Sequence, residues 1–193
     1  MMKSRVVMAV ILAAGAATAF ADVAPAAKKT NRAAAGSGAA NAGAYGASAD
    51  AAFMTKAGGD GLAEVELGRL AVAKATSADV KSFAQMMVDD HSKANAELTS
   101  LASQKGVTLP SEPPPPAKAA KDHLSSLSGA AFDKAYMDHM VKDHEKAVAL
   151  FSKEASSGKD ADTKDWAAKT LPTLQQHLSK ARSVAGMAGG HAH

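Results

Sequence analysis

From residue 50 to residue 185, small and apolar residues recur at alternating steps of three and four, in four stretches of nearly equal length closed by turn signals. That period belongs to helices, and it leaves little room for a sheet. The first stretch covers 50–75. Thr76-Ser77 break it and cap the next, which ends at Lys105 with Gly106 as a natural C-cap. Leu109-Pro110 and the run Pro113 to Pro116 follow, then a short helical segment at 117–127 and Gly129. The remaining two stretches cover 130–156 and 160–185, joined by Ser157-Gly158. Each spans about 26 to 29 residues, or roughly 40 Å at 1.5 Å per residue.

Four matched helices with short first and third connections predict an all-α protein, a four-helix bundle with a short extra helix in its second connection. That connection, 106–129, is long enough to cross the length of the bundle. Ferritin-like and up-down-up-down topologies are both compatible with it. Hydrophobic residues make up 47% of the chain but aromatics only 4%, so the core rests on close helix contact more than on stacked rings.

Ahead of this body, Lys3 and Arg5 precede an apolar run from Val6 to Ala17, and Ala19-Phe20-Ala21 supplies a small-residue cleavage site. Residues 1–21 therefore read as a secretory signal peptide. The run is too short for the roughly 20 apolar residues of a membrane span, so no stable membrane insertion is expected after cleavage. Residues 22–49 hold almost no large apolar side chain and read as a flexible linker. Residues 186–193 read as a flexible tail. An exported, most simply periplasmic, protein is expected.

Charge removes one class of partner. Without Lys3 and Arg5 the 22 basic residues become 20 against 19 acidic ones. Setting aside Lys28, Lys29, Arg32 and Asp22 as well leaves the body with 17 against 18. A nearly neutral body with no basic stripe does not suit nucleic acid. With no cysteine, thiolate and disulfide chemistry are excluded. No nucleophile elbow, Ser-His-Asp order or phosphate loop is present, so no catalytic residues are assigned.

The inward stripes are apolar except near their middles. The first carries Glu64 between Gly61 and Leu67, and the second carries His91 between Met87 and Ala94. The third carries His144 between Met140 and Ala147, and the fourth His177 between Leu174 and Ala181. Counted from the nearer turn, the four lie about 18, 22, 21 and 28 Å along their helices. They should share one layer, with His177 the outlier and Pro172 close before it.

Three imidazoles and one carboxylate suit one transition-metal ion such as Fe, Mn, Zn or Cu. The alternative is a hydrogen-bonded polar layer that fixes helix register in a non-enzymatic envelope stress or interaction protein. A di-iron carboxylate centre would need Glu three residues before each histidine, where Val88, Val141 and Leu174 stand. Asp90 and Asp143 could orient the histidines, though interhelix ion pairs are the more ordinary use of such residues. Glu66 is expected to meet Arg69. His123 should be exposed, and Tyr136 should pack in the core. His191 and His193 form a loose GGHAH end.

Residues 86–94 (MMVDDHSKA) and 139–147 (HMVKDHEKA) align at an offset of 53, so two helices present the same His-centred face. With these segments, LAEVELGRLA, the Gly-Val-Thr-Leu-Pro loop and LPTLQQHLSKA, the chain resembles the DUF4142 family of exported, ferritin-like bacterial proteins over about 50–185. The resemblance implies a helical bundle outside the cytoplasm and brings no assigned activity.

Overall fold

The computed structural model describes residues 48–189. The readings of residues 1–21 as a signal peptide and of most of 22–49 as a linker, and those of His191 and His193, fall outside the described residues. Among the described residues the structure is all-helical: α1 (Ala49–Lys74), α2 (Ala78–Lys105), α3 (Pro115–Ser126), α4 (Gly129–Ser157) and α5 (Ala161–Gly189). None of these helices is long and apolar enough to cross a membrane.

Local chemistry sets the boundaries. The Ser48 hydroxyl accepts from the Ala51 N–H at 3.1 Å and caps α1. Ser77 caps α2 in the same way, accepting from Val80. Gly106 ends α2 in the left-handed region, φ 66°, and its N–H reaches the carbonyls of Ala102 and Ser103. Pro115 and Pro116 open α3, where the first N–H groups have no intrahelical partner to lose. α5 runs through Pro172 and continues to Gly189, past its expected end at 185.

α1 pairs with α2 and α4 with α5, while α1 also borders α4 and α2 borders α5. Carboxylates show which ends meet. Asp133, near the start of α4, accepts from the backbone N–H of Thr76 at 3.0 Å and of Ser77 at 2.8 Å. The α1–α2 turn therefore sits beside the start of α4. At the other end, Asp50 of α1 accepts from the backbone of Lys159 at 2.9 Å and of Asp160 at 3.3 Å. There Lys105, closing α2, meets Asp160 and Asp162, each at 2.6 Å. Each hairpin's turn is thus held by a carboxylate of the other hairpin. It follows that α2 and α4 run in the same direction, and segment 106–128 travels the length between them. Within that segment α3 lies along α1, buries Leu124 and pairs Lys121 with Glu66. The expected Glu66 partner on its own helix, Arg69, gives way to this one because α3 covers that face.

The buried apolar residues form two clusters. One holds Phe53, Met54, Leu98, Phe151 and Leu174, and the other Leu67, Phe83, Met87, Tyr136, Met140 and Val184. Along every long helix the polar residue of the stripe falls in the gap between the two. α1 is the most deeply covered helix, with Gly58, Gly59, Gly61 and Gly68 all buried. At Gly68 a Cβ would lie 2.9 Å from Val88 Cγ2 and 3.1 Å from the Ala84 carbonyl oxygen, so α1 and α2 approach at a distance only glycine allows.

Candidate metal centre

His91, His144 and His177 come from α2, α4 and α5, at positions where each helix turns its apolar stripe inward. Their ring centroids stand 5.6 Å (91–144), 5.4 Å (91–177) and 5.4 Å (144–177) apart, close to an equilateral triangle. The rings are 9%, 1% and 2% exposed, so the triangle is closed to bulk water. One nitrogen from each ring can be chosen so that all three lie within 4.8 Å of one another. Nitrogens on a tetrahedral ion at about 2.1 Å stand roughly 3.4 Å apart, so the rings need to close by no more than about 1.4 Å.

A hydrogen bond on each of two rings fixes which nitrogen carries the proton and which keeps its lone pair. His144 Nδ1 lies 2.9 Å from the Met140 carbonyl oxygen, which can only accept, so Nδ1 carries the hydrogen and Nε2 keeps its lone pair. His177 Nε2 lies 2.9 Å from Asp90 Oδ2, so Nε2 donates to the carboxylate and Nδ1 keeps the lone pair. His144 Nε2, His177 Nδ1 and His91 Nε2 are all buried with no hydrogen-bond partner. Each such atom costs roughly 1–3 kcal/mol if left unpaired.

Electrostatics keeps the rings neutral. Burial, reinforced by His144 and His177, pushes His91 down to about 3. Burial and His177 bring His144 down to about 4 against the raising effect of its Met140 bond. Burial also lowers His177, opposed by Asp90. Neutral imidazole is the form that binds metal.

Glu64 faces this layer from α1 but stands outside the nitrogen triangle. Its Oε1 is 4.0 Å from His144 Nδ1, and its Oε2 is buried without a partner. Burial, with Asp143 and Asp60 nearby, raises its carboxyl to about 8. Of the four sequence-derived residues, then, the structure brings three into one cluster and sets the fourth at its edge.

Asp90 orients His177, whereas its counterpart Asp143 does not touch the triangle. Asp143 instead meets His139 at 2.9 Å and Lys146 at 3.0 Å. Burial pushes the Asp143 carboxyl up, but these two partners outweigh it and hold the group at about 2. Tyr136 is buried as expected, its hydroxyl partnerless and its acidity suppressed by burial and by Glu64. His123 is exposed.

Similar folds occur in two solved structures. A DUF305 protein from Streptomyces coelicolor, described as secreted, aligns with a TM-score of 0.64 at 15% identity, covering 74% of this chain and 93% of that one. The Cu(II)-bound form of CopM aligns with a TM-score of 0.60 at 14% identity, covering 71% of this chain and 95% of that one. At such identities the likeness is one of fold. No curated protein sequence matches the chain significantly. The family model described as a domain of unknown function, DUF4142, matches residues 33–184, and the chain belongs to that family.

Proposed function

We propose that this protein is an exported metal-binding helical bundle holding one divalent transition-metal ion through His91 Nε2, His144 Nε2 and His177 Nδ1. The observation that carries the reading is the trio of buried, partnerless nitrogens on three converging rings. A purely structural layer needs a donor for each lone pair, and His144 Nε2 and His177 Nδ1, both acceptors, cannot supply one to each other. Glu64 supplies a carboxylate at the edge of the layer, either as a fourth ligand or as a charge partner beside His144. Three neutral rings and one carboxylate leave a dipositive ion with a net charge of one, and Asp90 offsets part of that through His177. A fourth position filled by water or a small oxidant would follow if Glu64 stays outside.

The bundle is of ferritin-like type in this reading. Support comes from two antiparallel hairpins, the long 106–128 connection and parallel α2 and α4. Export rests on the signal-peptide pattern of residues 1–21 followed by the 22–49 linker, and the DUF305 structural relative described as secreted agrees with it. Copper is the first ion to test, because imidazole suits it and the CopM relative is Cu(II)-bound. Zinc, iron and manganese complete the panel. No residue set in the layer supplies a nucleophile, so binding, storage or protection fits better than turnover.

The test is elemental analysis and titration of the exported chain carrying His191→Ala and His193→Ala, beside His91→Ala and His144→Ala versions. About one equivalent of one metal, lost in both ring variants, supports the centre. A well-folded chain that takes up none of the four metals sinks it and leaves the layer as a register device in an envelope protein.

A further inference from the structure

A pocket of about 570 Å³ opens between α1, α4 and the proline-bearing strap 110–117. Pro110, Pro114 and Pro116 stiffen the strap side, and Ala63 and Ala147 keep the helix sides low. Its polar groups are unevenly arranged. Lys56 and Lys146 also line it, but each is tied to an acid, Asp60 at 2.9 Å and Asp143 at 3.0 Å, and their side chains are 59% and 76% exposed. Asp60 and Glu112 are the more exposed acids of its lining, His139 and Asp143 are more covered, and Glu64 also lines the space.

Glu64 belongs to two places at once. It is 7% exposed, Oε2 has no partner, and Oε1 reaches to 4.0 Å from His144. One side chain thereby joins a solvent-connected pocket to the closed histidine layer. A second approach exists on the α2–α5 face, where the Asp90 side chain is 45% exposed beside His177. That approach offers one carboxylate already bonded to a ring, and none of the residues lining the pocket comes from α2 or α5.

We propose that the α1–α4–strap pocket is the path by which a divalent cation reaches the three-histidine centre, with Asp60 and Glu112 drawing it in and Glu64 handing it to the rings. This rests on the metal-binding reading of that centre. The path predicts that loading rate and final occupancy respond to different residues. Carboxylates along the pocket set how fast a cation arrives, and the rings set how tightly it stays.

The experiment follows Co(II) loading of the full chain by stopped-flow absorbance, at low and at high ionic strength. The double variant Asp60→Asn/Glu112→Gln should load about ten-fold more slowly at low salt, with the difference shrinking as salt screens the field. Ala117→Trp, which narrows the pocket from α3, should slow loading at every salt concentration. Glu97→Gln removes an acidic group on α2 away from the pocket and should change little. All three should reach the occupancy of the unsubstituted chain. If the double variant and Ala117→Trp load like Glu97→Gln while occupancy is normal, the path is overturned and the centre stands. If the unsubstituted chain takes up neither Co(II) nor any of copper, zinc, iron and manganese, the centre falls and the path with it.

Discussion

Asp90 Oδ2 lies 2.9 Å from His177 Nε2, and this one hydrogen bond decides which nitrogen of His177 faces the other two rings. The carboxylate comes from the residue preceding His91, so α2 contributes one ring to the cluster and the support for another. Replacing Asp90 with Asn keeps the size but removes the obligatory acceptor charge. Metal affinity should fall about 10- to 100-fold, as for other carboxylates that support a metal-bound imidazole. Because Asp90 is half-exposed, thermal stability of the metal-free chain should change little. Competition against a chromophoric chelator measures the first effect and calorimetric melting the second. An unchanged affinity would show that His177 does not bind through Nδ1.

Glu64 makes proton release a readout of its role. With its carboxyl at about 8, the free protein holds that proton at pH 7. The rings of His91 and His144, at about 3 and about 4, have none to give there. Binding that recruits Glu64 should release close to one proton per ion at pH 7, and Glu64→Gln should release none. Titration calorimetry in buffers of different ionisation enthalpy counts those protons. Binding without release from the unsubstituted chain would place Glu64 outside the metal's coordination.

The stability of the metal-free protein should pass through a maximum below about pH 6.5. His91 and His144 drop from 6.5 to about 3 and about 4 on folding, and His177 is lowered too. All three bind fewer protons when folded, so their contribution is lost as pH falls below the unfolded value. Glu64 and Glu154 rise from 4.5 to about 8 and about 7, the latter through burial and its bond with Asp50. Their contribution is complete in acid and is lost as pH rises through those values. Between pH 4.5 and 6.5 the rings and the carboxyls pull in opposite directions, and above that window the carboxyls act alone. Urea midpoints at pH 4, 6 and 8 in the presence of chelator should show the dome; a steady rise to pH 8 would contradict it.

Tyr136→Phe should leave stability unchanged or raise it by up to about 1 kcal/mol. The hydroxyl is buried without a partner, and deleting such a group removes a desolvation penalty without opening a large cavity. A loss above about 1 kcal/mol in a denaturant melt would reveal a hidden partner for the oxygen.

Two glycines of α1 should respond oppositely to alanine. A Cβ at Gly61 meets the end of the half-buried Asn95 side chain at 2.1 Å, and that amide can rotate away. Gly61→Ala should therefore lie between a small loss and a gain of about 1 kcal/mol from helix propensity. At Gly68 the obstacle includes the Ala84 carbonyl at 3.1 Å, which is backbone and cannot swing aside. Gly68→Ala should cost about 1–3 kcal/mol. Equal melting temperatures for the two variants would argue against the tight α1–α2 contact.

Much of the layer was legible because helical period and distance from a turn are both written in the sequence. The stripes through His91, His144 and His177 are buried as the spacing requires. His177, expected deepest at about 28 Å, joins its partners because residues 158–160 run across the end of the hairpin instead of along α5. Measured from Ala161 the distance is nearer 24 Å. What stayed hidden depends on long-range partners. Asp50, Asp133 and Glu154 read as ordinary charges near helix ends, yet all three are buried. Asp50 and Asp133 hold turns 109 and 57 residues away. The support given by Asp90, the Lys121 partner of Glu66 and the strap over α1 likewise depend on which helices become neighbours, and periodicity within one helix carries no such information.

The crossed carboxylates also bear on how the internal repeat could be used. The repeat puts the same His-centred face on α2 and on α4, one helix from each hairpin, and by itself would let each hairpin stand as an independent half. Here Asp50 completes the turn of the later pair and Asp133 that of the earlier one. Cut within the strap, each fragment would keep its own apolar stripe but lose the acceptor for its own bend, and the three rings would be shared out between strangers. The fold is interlocked at both ends, so this domain should appear, fold and be inherited as one piece.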